Sequence, residues 1–174
     1  MEGKFKAQEQ ELKNELLSLS KERLSQDAYS DIQSAIELGE QIYGNELRKS
    51  GEPFFIHPLA VAITAAQELG MTRNSIIAAL LHDLYDFKTF SEDQIAENFG
   101  DKVLEIMRGL HKISGLYTQN ITLQDQNYIN LILNIVTDVR IILLKLADRL
   151  QNIRNIGNFT EEKQRSLAEE IGAL

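Results

Sequence analysis

Two imidazoles and two carboxylates stand where this chain has no packing use for them. His82 and Asp83 are adjacent at the end of the apolar stretch AALLHD (78–83), and Asp148 interrupts the strongly apolar ILLKLADRLQNI (142–153). His57 closes EPFFIH (52–57), directly before Pro58. A charged or polar group in an apolar helix is costly unless it is paired, so each of these residues needs a partner. Two imidazoles and two carboxylates are a suitable donor set for a first-row divalent ion such as Mn²⁺, Fe²⁺ or Zn²⁺, so the chemistry these residues point to is divalent-metal binding. The alternative is structural salt bridging, with Asp148 paired to Arg149 and Asp83 to a nearby lysine. The remaining histidine, His111 in GLHKIS, has no carboxylate beside it in sequence and reads as structural or surface.

Composition limits what surrounds this set. The chain has 174 residues, 43% of them hydrophobic and 25% charged, an ordinary mix for one domain with a real core. It contains no cysteine, so a metal would have to be held by His, Asp and Glu. The formal net charge is −8, which argues against a broad DNA-binding or other nucleic-acid surface but leaves room for a small anionic ligand. No apolar run has the length of a membrane span or the character of a secretory leader, so a cytoplasmic location without membrane contact is expected.

The elements that must position the set read as helices. The two prolines, Pro53 and Pro58, lie in one short stretch, and no segment alternates with a period of two. Residues 1–26 are polar and read as a leader, a solvated helix or a frayed terminus. A helix over 27–44 carries Ile32, Ala35, Ile36, Leu38, Gly39, Ile42 and Tyr43 at helical spacing, with Asp27 as its candidate cap. Residues 45–57 read as a connector and 58–70 as a helix running from proline to glycine. A helix over 72–86 opens at Thr72. Ser91 with Gln94 fits a capping box for a helix over 91–99, Gly100 ends it, and 101–114 forms the next. Residues 115–122 read as a loop, 123–156 as the longest helical segment, and about 160–171 as a final polar helix capped by Thr160.

Four ordered stretches, RKSGEPFFIHP (48–58), AALLHDLYD (78–86), NFGDKVLEIMRGLHKIS (98–114) and DVRIILLKLADRLQNIRNI (138–156), resemble the N-terminal hydrolase domain of RelA/SpoT-type (p)ppGpp synthetase/hydrolases. The resemblance covers nearly all of 27–171. It implies an all-α HD-domain helical bundle over 27–174 that removes the 3′-pyrophosphate of guanosine tetra- or pentaphosphate, with Mn²⁺ as the usual ion. It implies His57, His82, Asp83 and Asp148 as the metal ligands. It also implies nucleotide contacts from Arg48, Lys49, Ser50 and Asn152, with Arg48 flanking the guanine and Lys49 neutralising phosphate.

One departure bears on the reaction. The family motif HD-x-x-ED reads His82-Asp83-Leu84-Tyr85-Asp86-Phe87 here. Asp86 keeps a carboxylate one methylene shorter, as the candidate catalytic acid–base group, whereas Phe87 can neither accept a hydrogen bond nor take a proton. The expectation is a weakened or lost hydrolase. Because the chain ends at LAEEIGAL, where family members run on, it is expected to be a fragment that partners a synthetase domain of the same polypeptide. A fully active hydrolase and a non-catalytic helical interaction module are the alternatives.

Overall fold

The computed structural model describes residues 2–87, 90–117 and 138–155, together with 157, 161, 164 and 165. Among them every element is helical, in the order α1 (Glu2–Arg23), α2 (Gln26–Tyr43), α3 (Ile56–Gln67), α4 (Arg73–Leu81), a 3-10 turn (His82–Asp86), α5 (Glu92–Phe99), α6 (Asp101–Tyr117) and α7 (Val139–Arg154). The all-α expectation holds. The helical reading of 123–137 and the helix over 160–171 fall largely outside the described residues.

Helix α4 is the centre of the bundle. Every side chain from Ser75 to Leu81 is buried, and α2, α3, α6 and α7 all pack on it. Burial on all sides explains its run of Ile, Ala and Leu, since a helix with one wet face would carry an apolar stripe only. Each fully buried Ile or Leu contributes about 1.5–3 kcal/mol. Helix α2 shows the stripe: Ile32, Ala35, Ile36, Gly39 and Tyr43 are buried and its other face is wet. Gly39 leaves room for the Phe55 ring, whose Cζ would stand 2.6 Å from an added Cβ.

The structure corrects several local expectations. The cap of α2 is Ser25, whose hydroxyl accepts from the Ala28 N–H at 3.3 Å; Asp27 lies inside the first turn. Neither Thr72 nor Ser91 makes a side-chain cap bond. The start of α5 is tethered instead by Glu92, which accepts from Arg108 at 2.6 Å and from the Tyr85 hydroxyl at 2.5 Å. The helix expected over 72–86 tightens after Leu81 into the 3-10 turn, where the Tyr43 hydroxyl donates to the Leu80 carbonyl at 3.1 Å. Helix α6 continues through Gly115 to Tyr117, into the expected loop. Residues 2–23 form a docked helix with Leu16 and Ser20 fully buried, and α1 lies against α2 and α3.

The connector before α3 is folded back on itself. Leu47 and Pro53 form an isolated antiparallel bridge, and Arg48 N–H bonds to the Glu52 carbonyl at 2.9 Å. Gly51 closes this turn at φ 84°, a left-handed conformation that side-chain-bearing residues adopt at a cost. The turn presents Arg48, Lys49 and Ser50 beside the end of α7. Among the described residues no helix is long and apolar enough to cross a membrane.

Candidate metal and nucleotide site

The packing of α7 on α3 carries Asp148 to His57, which is the second residue of α3. His57 Nε2 and Asp148 Oδ1 are 2.8 Å apart, and both side chains are almost wholly enclosed. The 3-10 turn brings the second pair: His82 Nε2 stands 3.1 Å from Asp83 Oδ1. The four residues therefore meet as two pairs. Among the described residues, three or more such side chains do not gather around one centre as metal ligands do.

The pairs nevertheless sense one another. Burial opposes charge on His82, but Asp83 and then Asp148 outweigh it and push the imidazole up to about 9. Burial also opposes charge on Asp83, yet His82 and then His57 hold its carboxyl below the usual range. For Asp148, burial is again overcome, by Lys145 and the two imidazoles, and the carboxyl lies well below its ordinary value. Enclosure alone would raise both carboxyls, and their neighbouring partners lower them instead.

The donor chemistry fits a divalent ion. The His82 Nδ1–H donates to the Ala79 carbonyl at 2.8 Å, which fixes the ring and leaves Nε2 as the nitrogen that could hold an ion. A ring nitrogen anchored on a backbone carbonyl is the arrangement metal-bound histidines use. His57 Nδ1 is buried with no partner among the described residues, so its Nε2 is the nitrogen engaged at the site.

Sequence reasoning missed the cation that serves Asp148. Lys145 Nζ lies 2.8 Å from Asp148 Oδ2 and 3.0 Å from the Ser114 hydroxyl. Lys145 sits three residues before Asp148, on the same helix face, whereas Arg149 is one residue on and turned away by about 100°. The helical spacing held that signal. Gln151, one turn after Asp148, was also missed; its amide donates to the Thr64 hydroxyl at 2.6 Å and ties α7 to α3.

Asp86 ends the 3-10 turn. Burial, then the negative charge of Asp83, raises its carboxyl above the ordinary value. Phe87 is turned into an aromatic cluster, 5.2 Å from the Tyr43 ring and 5.1 Å from that of Phe54, edge-on to both. Tyr43 borders the acids: burial, then Asp83 and Asp86, raises its hydroxyl well above the usual range. His111 is exposed and stacks on Tyr85 at 4.4 Å.

Of the candidate nucleotide residues, Arg48 and Asn152 are joined across the chain, NH2 to Oδ1 at 3.4 Å, and Arg48 also reaches Glu52 at 3.4 Å. Lys49 is exposed. The Ser50 hydroxyl is buried and has no partner among the described residues. It lines a cleft of about 520 Å³ that runs along Gln151 of α7 and Asn155, the residue that caps that helix.

Comparison with known proteins places this arrangement. The family model described as HD domain matches residues 35–174. The guanosine-3′,5′-bis(diphosphate) 3′-pyrophosphohydrolase of Aquifex aeolicus is 43% identical over 140 residues, which is 80% of this chain and 20% of that protein. The bifunctional (p)ppGpp synthase/hydrolase SpoT of Escherichia coli is 32% identical over 148 residues, 84% of this chain and 21% of that protein. The GTP pyrophosphokinase of Myxococcus xanthus is 35% identical over 143 residues, 80% of this chain and 19% of its own length. The chain thus spans about a fifth of these relatives. A solved structure described as a metazoan ortholog of SpoT that hydrolyses ppGpp has the same fold, with a TM-score of 0.60 at 19% identity, over 82% of this chain and 84% of that one. The chain belongs to the HD-domain family and is homologous to the SpoT/RelA-type (p)ppGpp hydrolases.

Proposed function

We propose that this domain holds a divalent ion, Mn²⁺ or a similar one, between His57, His82, Asp83 and Asp148, and binds guanosine tetra- or pentaphosphate with its hydrolysis weakened. When bound, such an ion supplies Lewis acidity at a phosphoryl oxygen and lowers the pKa of water toward about 7. Water adds across the bond between the 3′ oxygen and the pyrophosphate group, which releases pyrophosphate and leaves a 3′-hydroxyl. The protein's own share is positioning and proton transfer. Arg48 flanks the base, Lys49 neutralises phosphate, Ser50 and Asn152 contact the nucleotide, and Asp86 orients the water or takes its proton.

The observation that carries the weakened reading is the Phe87 ring, packed against Tyr43 and Phe54 where the related motif has a second acid. Asp86 is left as the only acid of that pair. General-base help contributes about 10²–10⁴-fold, and losing one acid while shortening the other removes part of that factor. A synthetase domain in the same polypeptide is the expected partner, since relatives matched over a fifth of their length include a GTP pyrophosphokinase and a bifunctional synthase/hydrolase.

The raised carboxyl of Asp86 favours a second reading, full hydrolysis, because a base is most effective when its pKa approaches the working pH. The test is to incubate the purified domain with Mn²⁺ and guanosine 3′,5′-bis(diphosphate), follow pyrophosphate release, and compare it with the Aquifex relative. Slower turnover supports the proposal and equal turnover overturns the weakened reading. Failure to bind either manganese or the nucleotide leaves a non-catalytic helical module.

A further inference from the structure

In the first three turns of α1, Leu12 packs against the core and Glu9 pairs with Lys13, whereas Phe5 and Gln8 lie outside the core. Leu16 and Ser20 dock the later turns on the bundle and are fully buried. Phe5, Gln8 and Leu12 continue the same face toward the N-terminus, at spacings of three and four residues. There the face runs out over the cleft of about 520 Å³ that Ser50, Gln151 and Asn155 line from the other side. A half-buried phenylalanine in the otherwise polar stretch EGKFKAQEQ is thereby placed at a cleft wall and outside the core.

The chemistry of this cleft is that of a planar, hydrogen-bonding ring. Phe5 and Leu12 offer apolar surface and Gln8 offers an amide, while Gln151 and Asn155, whose amide nitrogens already donate to the Thr64 hydroxyl and the Gln151 carbonyl, leave their side-chain oxygens as acceptors. The buried Ser50 hydroxyl has no partner among the described residues, and a buried hydroxyl of that kind calls for one. Gln151 follows Asp148 by one turn on α7 and Asn155 caps that helix, so the cleft is lined by the C-terminal part of the helix that carries Asp148. Binding sites for small ligands combine apolar walls with a few convergent polar groups in this way.

We propose that α1 supplies specificity-determining residues to the nucleotide site, with Phe5 packing on the purine face and Gln8 hydrogen-bonding its edge. The inference rests on the function proposed above. It gives α1 a role in choosing the base, separate from the acids and imidazoles that handle the phosphates.

The test uses the whole chain and the exposed-end variants Phe5→Ala and Gln8→Ala, whose side chains lie outside the buried core. Calorimetry measures binding of guanosine 3′,5′-bis(diphosphate) and, separately, of inorganic pyrophosphate, which has no base. Loss of base stacking typically weakens binding roughly 5- to 100-fold. The expected result is such a loss for the nucleotide in Phe5→Ala, a smaller one in Gln8→Ala, and unchanged pyrophosphate affinity in both. Unchanged nucleotide affinity in both variants overturns the role of α1 and leaves the proposed function standing. An equal loss for pyrophosphate also overturns it, because the effect would not be directed at the base. A parent protein that binds no guanosine 3′,5′-bis(diphosphate) overturns both proposals.

Discussion

Replacing Phe87 by Asp would restore the second acid of the hydrolase motif and, at the same time, dismantle an aromatic contact. The Phe87 ring meets Tyr43 at 5.2 Å with an interplanar angle of 70° and Phe54 at 5.1 Å with 84°, both edge-on. Such pairs are worth about 0.5–1.5 kcal/mol each beyond the area they bury. Phe87 is half-buried, so its apolar burial adds about 1 kcal/mol, half the value of a fully buried side chain. The expected loss is about 2–4 kcal/mol in Phe87→Asp, with somewhat less in Phe87→Leu, which keeps apolar bulk. The new carboxylate also joins Asp83 and Asp86, and the Asp86 carboxyl is already raised by burial and by Asp83. Urea unfolding followed by circular dichroism reads the stability. Pyrophosphate release in manganese reads the activity of Phe87→Asp alone and with Asp86→Glu. The double variant is expected to hydrolyse faster than the parent although it is less stable. Stability within about 0.5 kcal/mol of the parent, the usual range for surface changes, would refute the packing argument. Unchanged turnover in a folded double variant would show that the missing acid is not what limits hydrolysis.

Two further outcomes follow from the helices that frame the site. Asp138 caps α7, accepting from the Arg140 N–H at 2.9 Å and pairing with its guanidinium, so Asp138→Ala should cost about 1 kcal/mol in urea unfolding. The Arg140 contact holds this carboxyl below its ordinary 3.8, so its contribution is complete above that value and fades as the pH falls through the lower folded one. Asp138→Asn keeps an acceptor and should flatten that part of the acid profile; an unchanged profile would remove Asp138 as its source. Where α6 meets α7, a methyl on Gly109 would overlap the Ile141 side chain. Gly109→Ala should therefore destabilise by about 1–2 kcal/mol after its gain in helix propensity, and Ile141→Val should recover part of the loss when combined with it. Strict additivity of the two changes would contradict direct contact.

Much of the site was legible because ionisable groups are rare in apolar helices. His82, Asp83 and Asp148 stand out for that reason, and the structure seats each against an opposite charge. The pairing itself was harder to read. Arg149 looked like the partner of Asp148 from adjacency, whereas the helical face selects Lys145. The Arg48–Asn152 contact joins residues 104 apart and follows from the docking of α7 beside the folded connector. Nothing local marks Phe87 as a packed ring, because Tyr43 and Phe54 reach it from α2 and the connector.

The amino-acid sequence alone determined the all-α fold class, the apolar stretches that carry His82, Asp83 and Asp148, and the imidazole and carboxylate side chains that need partners. These follow from periodicity, proline placement and the cost of burying charge, all of which act along the chain. Tertiary structure decided how those four are paired, where the helix tightens into the turn that carries His82 and Asp83, and that α1 docks and extends over a cleft. Those outcomes depend on distances between segments far apart in sequence, set by the packing of α1, α3, α4 and α7, and no local pattern encodes them.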